Sequence, residues 1–324
     1  MGNHAIGINL GVAGSLDASD IVLNYTYLAR RIDYGIGGFY VNDEWIYEII
    51  YSDESPSDLF RERECEYGIY GILRYPFNKF WRIDFENMFS KNIIKRDWWD
   101  DIAGEWLEEY LDPDFMESEN LEVEESEYIY APQITFVHDN AIYGSVGPIS
   151  GWKGALLFNR SFSTMNSYSV FYSDIRNYTF FAKRYALALR LCGGVIIGDT
   201  NQRFVMDFYN GVRGYNHEIE GKKKLISSVE FRFPFIDNLK LSFPLPLYFN
   251  QLRGSAFIDF GSVWENHEDL RLYKNDRLND LKLGFGFGPR LNMGYFVLKF
   301  DIAWHTDLYD FSKPSYYISL SPDF

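Results

Sequence analysis

The last ten residues of the chain, 315–324, alternate between two kinds of side chain. Tyr316, Ile318, Leu320 and Phe324 fall on one face, and most of the residues between them are serine or aspartate. A period of two predicts a β-strand with one apolar and one polar face. A terminal strand of this kind is typical of a transmembrane β-barrel, because the last strand must remove the open edge of the sheet. We therefore predict an all-β chain that forms a transmembrane antiparallel barrel.

The composition agrees with this prediction. The chain has 28 phenylalanines, 25 tyrosines and 8 tryptophans, and only 24% of its residues are charged. No apolar run approaches the ~20 residues that a membrane helix needs. Barrel strands instead place apolar side chains at alternate positions and carry aromatic girdles at both membrane interfaces. A soluble β-sandwich with an aromatic core is the alternative, because its strands alternate in the same way.

Turn signals between the alternating segments predict fifteen strands. The predicted strands lie at about 4–12, 20–29, 32–41, 44–53, 61–75, 79–95, 127–138, 151–163, 167–180, 183–198, 222–235, 249–263, 281–291, 294–305 and 315–324. Tight turns are predicted at 41–44, 75–78, 181–184 and 291–294, and long connections at about 54–60, 96–126, 199–221, 264–280 and 306–314. Bacterial barrels have an even number of strands, with short turns in the periplasm and long loops outside. One strand is thus missing from the predicted set, and a long connection near 236–248 is the exception to the alternation.

The connection at about 96–126 is strongly acidic. Residues 97–127 contain 14 aspartates and glutamates and no lysine or arginine, and the net charge of the chain is −15. Ile102, Trp106 and Tyr110 recur at helical spacing, which predicts a short amphipathic helix inside an external loop. Binding of a divalent cation is the alternative, although the spacing of a calcium loop is absent. The acidity argues against a nucleic-acid partner.

No motif predicts a metal, a cofactor or an enzymatic reaction. Cys65 and Cys192 are far apart and outside any ligand-spaced pattern, so we expect two free thiols. The five histidines form no local ligand pair. The alternating glycines at 284–288 lie on a predicted strand with no helix behind them, unlike a nucleotide-binding loop. The sequence offers no combination of nucleophile, base and orienting residue, so we expect no catalytic residues.

Two motifs in the second half of the chain carry a family resemblance. They are Val212, Arg213, Gly214 and Tyr215, before the last five predicted strands, and Phe257, Asp259 and Gly261, on a later strand. Together and in this order they resemble the BamA-type superfamily of outer-membrane assembly and translocation barrels, the bacterial surface antigen family. The family pattern has a Val-Arg-Gly-Phe/Tyr tip on a loop that folds back into the lumen, and a Phe-x-Asp-x-Gly strand in the wall. The resemblance implies a sixteen-stranded barrel whose first strand lies upstream of Met1.

The two motifs predict one ion pair. Asp259 points into the lumen if the apolar residues of its strand face outward, and an arginine on a folded-in loop can then reach it with a planar fork. Gly214 allows a tight loop tip, and Gly261 and the glycines at 284–288 leave space for the loop. We predict that Arg213 and Asp259 fix the loop of residues 199–221 inside the barrel. A pair that only stabilises the scaffold, with no role in transport, is the alternative.

The resemblance also implies a location and a function. Residues 1–324 are expected to form one barrel domain of the bacterial outer membrane that inserts β-barrel proteins or moves polypeptide across the membrane. The expected partners are outer-membrane lipids, an unfolded β-barrel client or secreted polypeptide, and periplasmic modules or accessory lipoproteins. A client strand would pair with an opened seam at the terminal strand. A passive pore, or a barrel that anchors an upstream module, is the alternative.

The start of the chain carries no export signal. Residues 1–6 lack a basic segment and a long apolar segment, and they do not fit the myristoylation pattern. A barrel that crosses an inner membrane needs such a signal. We therefore expect the signal, and the family's periplasmic receptor modules, to lie upstream in a longer protein.

Overall fold

The structure is a computed structural model. It describes residues 4–12, 19–28, 31–49, 58–100, 105–107, 124–208, 211–242, 247–266, 270–274, 276–293 and 296–321. The regular elements of these residues are β-strands, which confirms the predicted all-β class. Across the described ranges, no helix has the length and hydrophobicity needed to span a membrane.

Twenty strands follow one another along the described residues. They are β1 (His4–Val12), β2 (Ser19–Tyr27), β3 (Asp33–Ile49), β4 (Asp58–Pro76), β5 (Trp81–Asp100), β6 (Glu105–Leu107), β7 (Glu124–Asp139), β8 (Ile142–Gly144), β9 (Gly147–Ser163), β10 (Tyr168–Phe181), β11 (Tyr185–Gly198), β12 (Phe204–Met206), β13 (Ile219–Gly221), β14 (Lys223–Leu241), β15 (Leu247–Trp264), β16 (Tyr273–Lys274), β17 (Arg277–Leu278), β18 (Lys282–Asn292), β19 (Val297–Thr306) and β20 (Ser315–Ser321).

Fourteen of these strands form the path of one large sheet. Their hydrogen-bonded order is β1-β2-β3-β4-β5-β7-β9-β10-β11-β14-β15-β18-β19-β20, with β6 beside β5 and β8 beside β9. Strands that follow each other along this path also follow each other in the sequence, apart from the short strands β6, β8, β12, β13, β16 and β17. A meander of antiparallel neighbours is the topology that the predicted hairpin connections require.

The chain comprises two compact units. The first contains residues 1–76, 84–134 and 159–168, and the second contains residues 77–83, 135–158 and 169–324. In the first unit, β1 pairs with β2 without a register shift, and Ile6, Ile8 and Leu10 are exposed on one face of β1. Exposed apolar side chains at every second position are those of a strand with an apolar outer face.

Two predicted strands are a single strand. The tight turn predicted at 41–44 is wrong, because β3 runs without a break from Asp33 to Ile49 and pairs with β4 along its whole length. Asn42 lies opposite Cys65 and Asp43 lies opposite Glu64 in this ladder. The Asn-Asp sequence has the composition of a turn, but strand pairing overrides that local preference. Nine long strands therefore precede the loop that begins at residue 199.

The predicted exception to the alternation of short and long connections is also wrong. β14 extends to Leu241 and β15 begins at Leu247, so only residues 242–246 separate them. A register shift between Pro234 and Ile236 absorbs the proline inside the ladder. Prolines are tolerated in strands at such irregularities. Short connections therefore alternate with longer ones from β10 to β20.

The acidic connection is shorter than predicted. β5 continues to Asp100 and β7 begins at Glu124. Glu105–Leu107 is the strand β6, where Trp106 lies opposite Trp99 of β5, so this part of the predicted helix is wrong. Tryptophan is common in strands, and the pairing with β5 satisfies the backbone that a helix would have satisfied internally. Ile102 and Tyr110, the other two residues of the predicted helix, lie outside the described residues.

The sheet of the second unit has one polar, buried face and one apolar, exposed face. On β14, Glu230 and Arg232 are buried, whereas Val229 and Phe231 are exposed. On β15, Asp259 is buried between exposed residues. The strand register aligns Ser228, Asp259, Gly284 and His305 in one row across β14, β15, β18 and β19. We call the face that carries this row the inward face.

Candidate functional site

The loop between β11 and β14 lies on the inward face of the second unit. Its strands β12 and β13 pair with each other, which gives the loop an internal frame. A small apolar core joins it to the wall and consists of Cys192, Met206, Val212, Ile226 and Val263. Val212 is completely buried in this core. Burial of apolar side chains between loop and wall favours the docked position of the loop.

Arg213 reaches Asp259 with two parallel hydrogen bonds. Its Nε lies 2.7 Å from Oδ2 of Asp259, and its Nη2 lies 2.8 Å from Oδ1. The backbone nitrogen of Arg213 donates to the same Oδ2 over 3.3 Å. The predicted ion pair is therefore present as a fork, which is the strong geometry of an arginine–carboxylate contact. Asp259 is 1% exposed, and buried charges of this kind are normally paired, as Asp259 is with Arg213.

Arg213 contacts the wall on further strands. Its Nη1 lies 3.2 Å from Oε2 of Glu230 on β14, and 3.8 Å from Oδ2 of Asp301 on β19. Its guanidinium carbon lies 3.5 Å from the centre of the Phe257 ring. Burial alone would lower the pKa of Arg213, but the carboxylates of Asp259, Glu230 and Asp301 raise it above its ordinary value. The side chain is therefore a permanent cation.

The charges around Arg213 form a balanced network. Glu230 accepts from Nε of Arg232 over 2.8 Å. Arg290 donates to Asp301 through Nη1 over 2.7 Å, as a pair across β18 and β19. Three arginines thus meet three carboxylates, which is how buried charges are compensated. A cavity of about 170 Å³ lies against this network, and Lys299 and Tyr317 also line it.

The loop tip contacts the last two strands of the wall, β19 and β20. Gly214 has φ +104°, a left-handed conformation that favours glycine. Its backbone nitrogen donates to the Tyr317 hydroxyl over 3.1 Å. Its carbonyl oxygen lies 2.7 Å from Nδ1 of His305, a hydrogen bond that requires the proton on Nδ1. The rings of Tyr215 and His305 are 4.3 Å apart, so both residues after Arg213 are held by the last two strands.

Wall glycines leave the space that the loop occupies. A Cβ atom on Gly284 would collide with the carbonyl oxygen of Arg213 and would lie 2.8 Å from Cγ1 of Val212. A Cβ atom on Gly261 would lie 2.6 Å from Sδ of Met206 and 2.6 Å from Cγ2 of Val212. Both positions thus allow a close approach of the loop, as the sequence predicted for them.

The Omp85 superfamily domain matches residues 145–321. This range contains both motifs, the docked loop and the last eight long strands from β9 to β20. The chain belongs to the Omp85 superfamily. The BamA-type resemblance of the sequence is thereby confirmed. No curated protein sequence matches the chain.

Solved structures of Omp85 proteins have the same fold. BamA from Haemophilus ducreyi lacking POTRA domains 1–3 matches with a TM-score of 0.60 at 12% identity, over 98% of this chain and 70% of that one. CdiB from Acinetobacter baumannii matches with a TM-score of 0.55 at 10% identity, over 94% of this chain and 49% of that one. CdiB from Escherichia coli matches with a TM-score of 0.55 at 12% identity, over 96% of this chain and 52% of that one. The chain thus spans about half the length of the CdiB chains.

Omp85 membership fixes the class of protein. The chain is an outer-membrane β-barrel protein of bacteria, of the type that inserts proteins into that membrane or translocates polypeptide. Members of the superfamily act in transport and assembly, not as enzymes. The fold is that of the barrel region of BamA.

The remaining predicted residues are those of the terminal strand and the two cysteines. Tyr316, Ile318 and Leu320 are exposed on the outward face of β20. Phe324 lies outside the described residues. Cys65 and Cys192 are free thiols, as predicted, and Sγ of Cys192 lies 3.0 Å from the Tyr172 hydroxyl.

Sequence reasoning missed two residues that hold the loop tip. Tyr317 lies on the inward face of β20, where it bonds Gly214 and also donates to Oδ1 of Asn216 over 2.7 Å. His305 lies on the inward face of β19. A tyrosine among serines on the polar face of a strand was the available signal for Tyr317. No local signal exists for His305, because its partner is 91 residues away.

Proposed function

We propose that the chain is an insertion or translocation barrel in which the loop around Arg213 is docked against the wall and is needed for function. The observation that supports this is the fork between Arg213 and Asp259. The guanidinium of Arg213 has acceptors on three strands, β14, β15 and β19. Backbone ladders already hold those strands together. The added effect of Arg213 is therefore to fix the position of the loop.

The docked loop is expected to leave the wall only at a high cost. Asp259 and Glu230 are each 1% exposed. Removal of one partner of a buried pair costs about 3–5 kcal/mol, because the other charge stays buried without compensation. A loop held in this way occupies the lumen, and a bound polypeptide would have to displace it or pass beside it.

The proposed partners follow from the two faces of the last strand. On β20, Tyr316, Ile318 and Leu320 face outward, where we expect outer-membrane lipids. β20 is also the last strand of the sheet order. An extended client, either an unfolded β-barrel protein or a secreted polypeptide, can add to such a strand through backbone hydrogen bonds. Tyr317 on the opposite face binds the loop tip, so strand and loop would respond to a client together.

Further parts of this proposal concern the whole protein. We propose that residues 1–324 act as one transmembrane barrel domain, and the match to BamA over 98% of the chain supports this. Periplasmic modules or accessory lipoproteins would deliver the client. The chain itself would be non-enzymatic, as its superfamily is. A nucleic-acid partner is not part of the proposal, in keeping with the net charge of −15.

The test compares Arg213→Met with a matched control, Arg277→Met, in the full-length protein. Arg277 also pairs with two carboxylates, Asp307 and Asp310, but it is exposed. Both variants are checked for folding by heat-modifiable migration. Assembly of a radiolabelled outer-membrane protein, or export of a polypeptide, is measured in cells, and conductance is measured in planar bilayers.

We expect Arg213→Met to reduce client assembly or export about tenfold or more, since a loss of 1.4 kcal/mol already changes an equilibrium tenfold. The control should behave as the unmodified protein. If Arg213→Met raises conductance but leaves client assembly and export unchanged, the loop only closes a passive pore or an anchor barrel, and the proposed function is wrong.

A further inference from the structure

The connection between β7 and β9 forms a hairpin that is buried at its tip. β8 pairs with the start of β9, with Gly144 opposite Gly147, and Ser145 and Val146 form the turn between them. Gly147 has φ +115°. Val146 is 7% exposed, and Pro148 is among the fully buried residues. A solvent-facing turn between two strands would not bury its tip.

This hairpin, residues 142–148, reaches across the inward face of the second unit. Nη1 of Arg232 on β14 donates to the Pro148 carbonyl oxygen over 2.7 Å. Nδ2 of Asn292 on β18 donates to the Ser145 carbonyl oxygen. In the sheet order, β18 lies five places from β9. A turn that contacts so distant a strand must cross the inward side of the sheet rather than follow its edge.

The hairpin and the Arg213 loop enter from opposite edges of the sheet. The hairpin precedes β9, whereas the loop follows β11. Because β9, β10 and β11 are consecutive antiparallel strands, the start of β9 and the end of β11 lie at opposite edges. The hairpin lies at the edge of the short connections 77–80 and 182–184, which is the periplasmic edge in barrels of this kind.

One chain of polar contacts joins the two elements. Arg232 is 5% exposed and donates to Pro148 through Nη1 and to Oε1 of Glu230 through Nε. The other oxygen of Glu230, Oε2, accepts from Arg213 over 3.2 Å. Glu230 thus lies between the arginine that holds the hairpin and the arginine that holds the loop. A change in the position of either arginine alters the compensation of the same buried carboxylate.

We propose that residues 142–148 are a second plug of the lumen, on the periplasmic side, and that Arg232 couples it to the Arg213 loop. Arg232 acts as a positioning residue: it holds the hairpin through Pro148 and keeps Glu230 oriented toward Arg213. The coupling rests on the proposed docking of the loop, whereas the second plug itself does not. Coupling between two sites is reciprocal, so release of either plug makes release of the other easier.

The test uses two matched cysteine probes in a background without Cys65 and Cys192. Val146→Cys reports on the hairpin and Val212→Cys reports on the loop, since both valines are buried. Maleimide labelling is followed in the full chain, refolded in liposomes and checked for heat-modifiable migration. The probes are combined with Arg232→Met, Arg232→Lys, Arg213→Met and the exposed control Arg277→Met.

We expect Arg232→Met to speed labelling at both probes by at least about fivefold, the lower end of typical coupling between sites. Arg232→Lys should speed labelling at Val146→Cys, because one ammonium cannot reproduce the fork that serves Glu230 and Pro148. Arg213→Met should expose the hairpin probe as well as the loop probe. Arg277→Met should change neither rate.

Each contrary result has its own meaning. If Val146→Cys is labelled as fast in the unmodified protein as in unfolded chain, the hairpin is not a plug. If Arg232→Met exposes only the hairpin probe, the coupling is wrong, and the docked loop and its proposed function stand. If Val212→Cys is labelled rapidly without any arginine substitution, the loop is not docked, and the proposed function falls with the coupling. Should Arg232→Met fail to fold, Arg232→Lys tests the hold on the hairpin, and labelling of Val146→Cys in Arg213→Met tests the coupling.

Discussion

The two units of the chain both bury ion pairs on their strands, but the pairs do different things. In the first unit, the Asp97 carboxylate is 2% exposed and lies 2.6 Å from Arg61 and 2.7 Å from Arg63. Arg96 lies 2.8 Å from Glu62 and also contacts Glu125. These residues belong to β4, β5 and β7, which are neighbours in the sheet order. Such pairs reinforce contacts that the strand register has already made.

In the second unit, the central cation is not on a strand. Arg213 lies on the loop between β11 and β14, and its carboxylates lie on β14, β15 and β19. No backbone ladder fixes this residue against the wall. The ion pairs of the second unit therefore fix a loop against the strands, whereas those of the first unit join strands that are already neighbours. The comparison teaches that the position of a charge in the chain, rather than the pair itself, decides whether a buried ion pair can control a movement.

The largest difference is expected between Asp259→Asn and Glu62→Gln. Asp259→Asn leaves Arg213 without its fork and should lower the free energy of unfolding by about 3 kcal/mol or more. Glu62→Gln should lower the free energy of unfolding by about 1 kcal/mol or less, because the Glu62 side chain is 23% exposed. Urea unfolding of the refolded chain, followed by heat-modifiable migration, measures both. Equal losses would show that the loop contact is no more than another strand contact.

The next effect is expected from Gly284→Ala compared with Gly71→Ala. A Cβ atom on Gly284 would collide with the carbonyl oxygen of Arg213, whereas the nearest atom to one on Gly71 lies 4.0 Å away. Overpacking of this kind costs about 1–3 kcal/mol. We expect Gly284→Ala to be destabilised by that amount and Gly71→Ala to be unchanged within about 1 kcal/mol. Conductance should rise only in Gly284→Ala, and a rise in both would contradict the docked loop.

The smallest effect is expected from Tyr317→Phe. The substitution removes one acceptor for the Gly214 nitrogen and one donor to Asn216, and it leaves the ring in place. Hydrogen bonds contribute about 0.5–1.5 kcal/mol each, so the loop tip should loosen without leaving the wall. Hydrogen exchange of the Gly214 amide should become faster while the urea midpoint changes little. An unchanged exchange rate would show that Tyr317 does not hold the tip.

Most of the fold was predictable because the alternation of apolar and polar residues is itself the constraint of a membrane-spanning strand. The predicted strands from β4 to β20 agree with the structure within a few residues at most ends. The errors came from local composition. Asn42 and Asp43 have the composition of a turn, yet they pair with β4, and Trp106 has helical spacing, yet it pairs with β5. Pairing with a distant strand cannot be read from a local window.

The candidate site was predictable only where a motif marked it. Arg213, Asp259 and Gly261 could be joined because two motifs resembled one family pattern. The contacts of Tyr317, His305 and Arg232 could not be predicted. They depend on which strands lie side by side, and on a loop and a hairpin that cross the inward face. The hairpin at 142–148 is a short connection in the sequence, and nothing in its composition indicates burial.

The most direct test of the docked loop is a disulfide that leaves the charge network intact. Nδ2 of Asn216 on the loop lies 3.1 Å from Oγ of Ser315 on β20, so Asn216→Cys and Ser315→Cys should crosslink on mild oxidation in a background without Cys65 and Cys192. We predict efficient crosslinking in the folded chain and a large loss of crosslinking when Asp259→Asn is added. Crosslinking that does not depend on Asp259, or that is absent from the folded chain, would contradict the claim that Arg213 and Asp259 fix the loop to the wall.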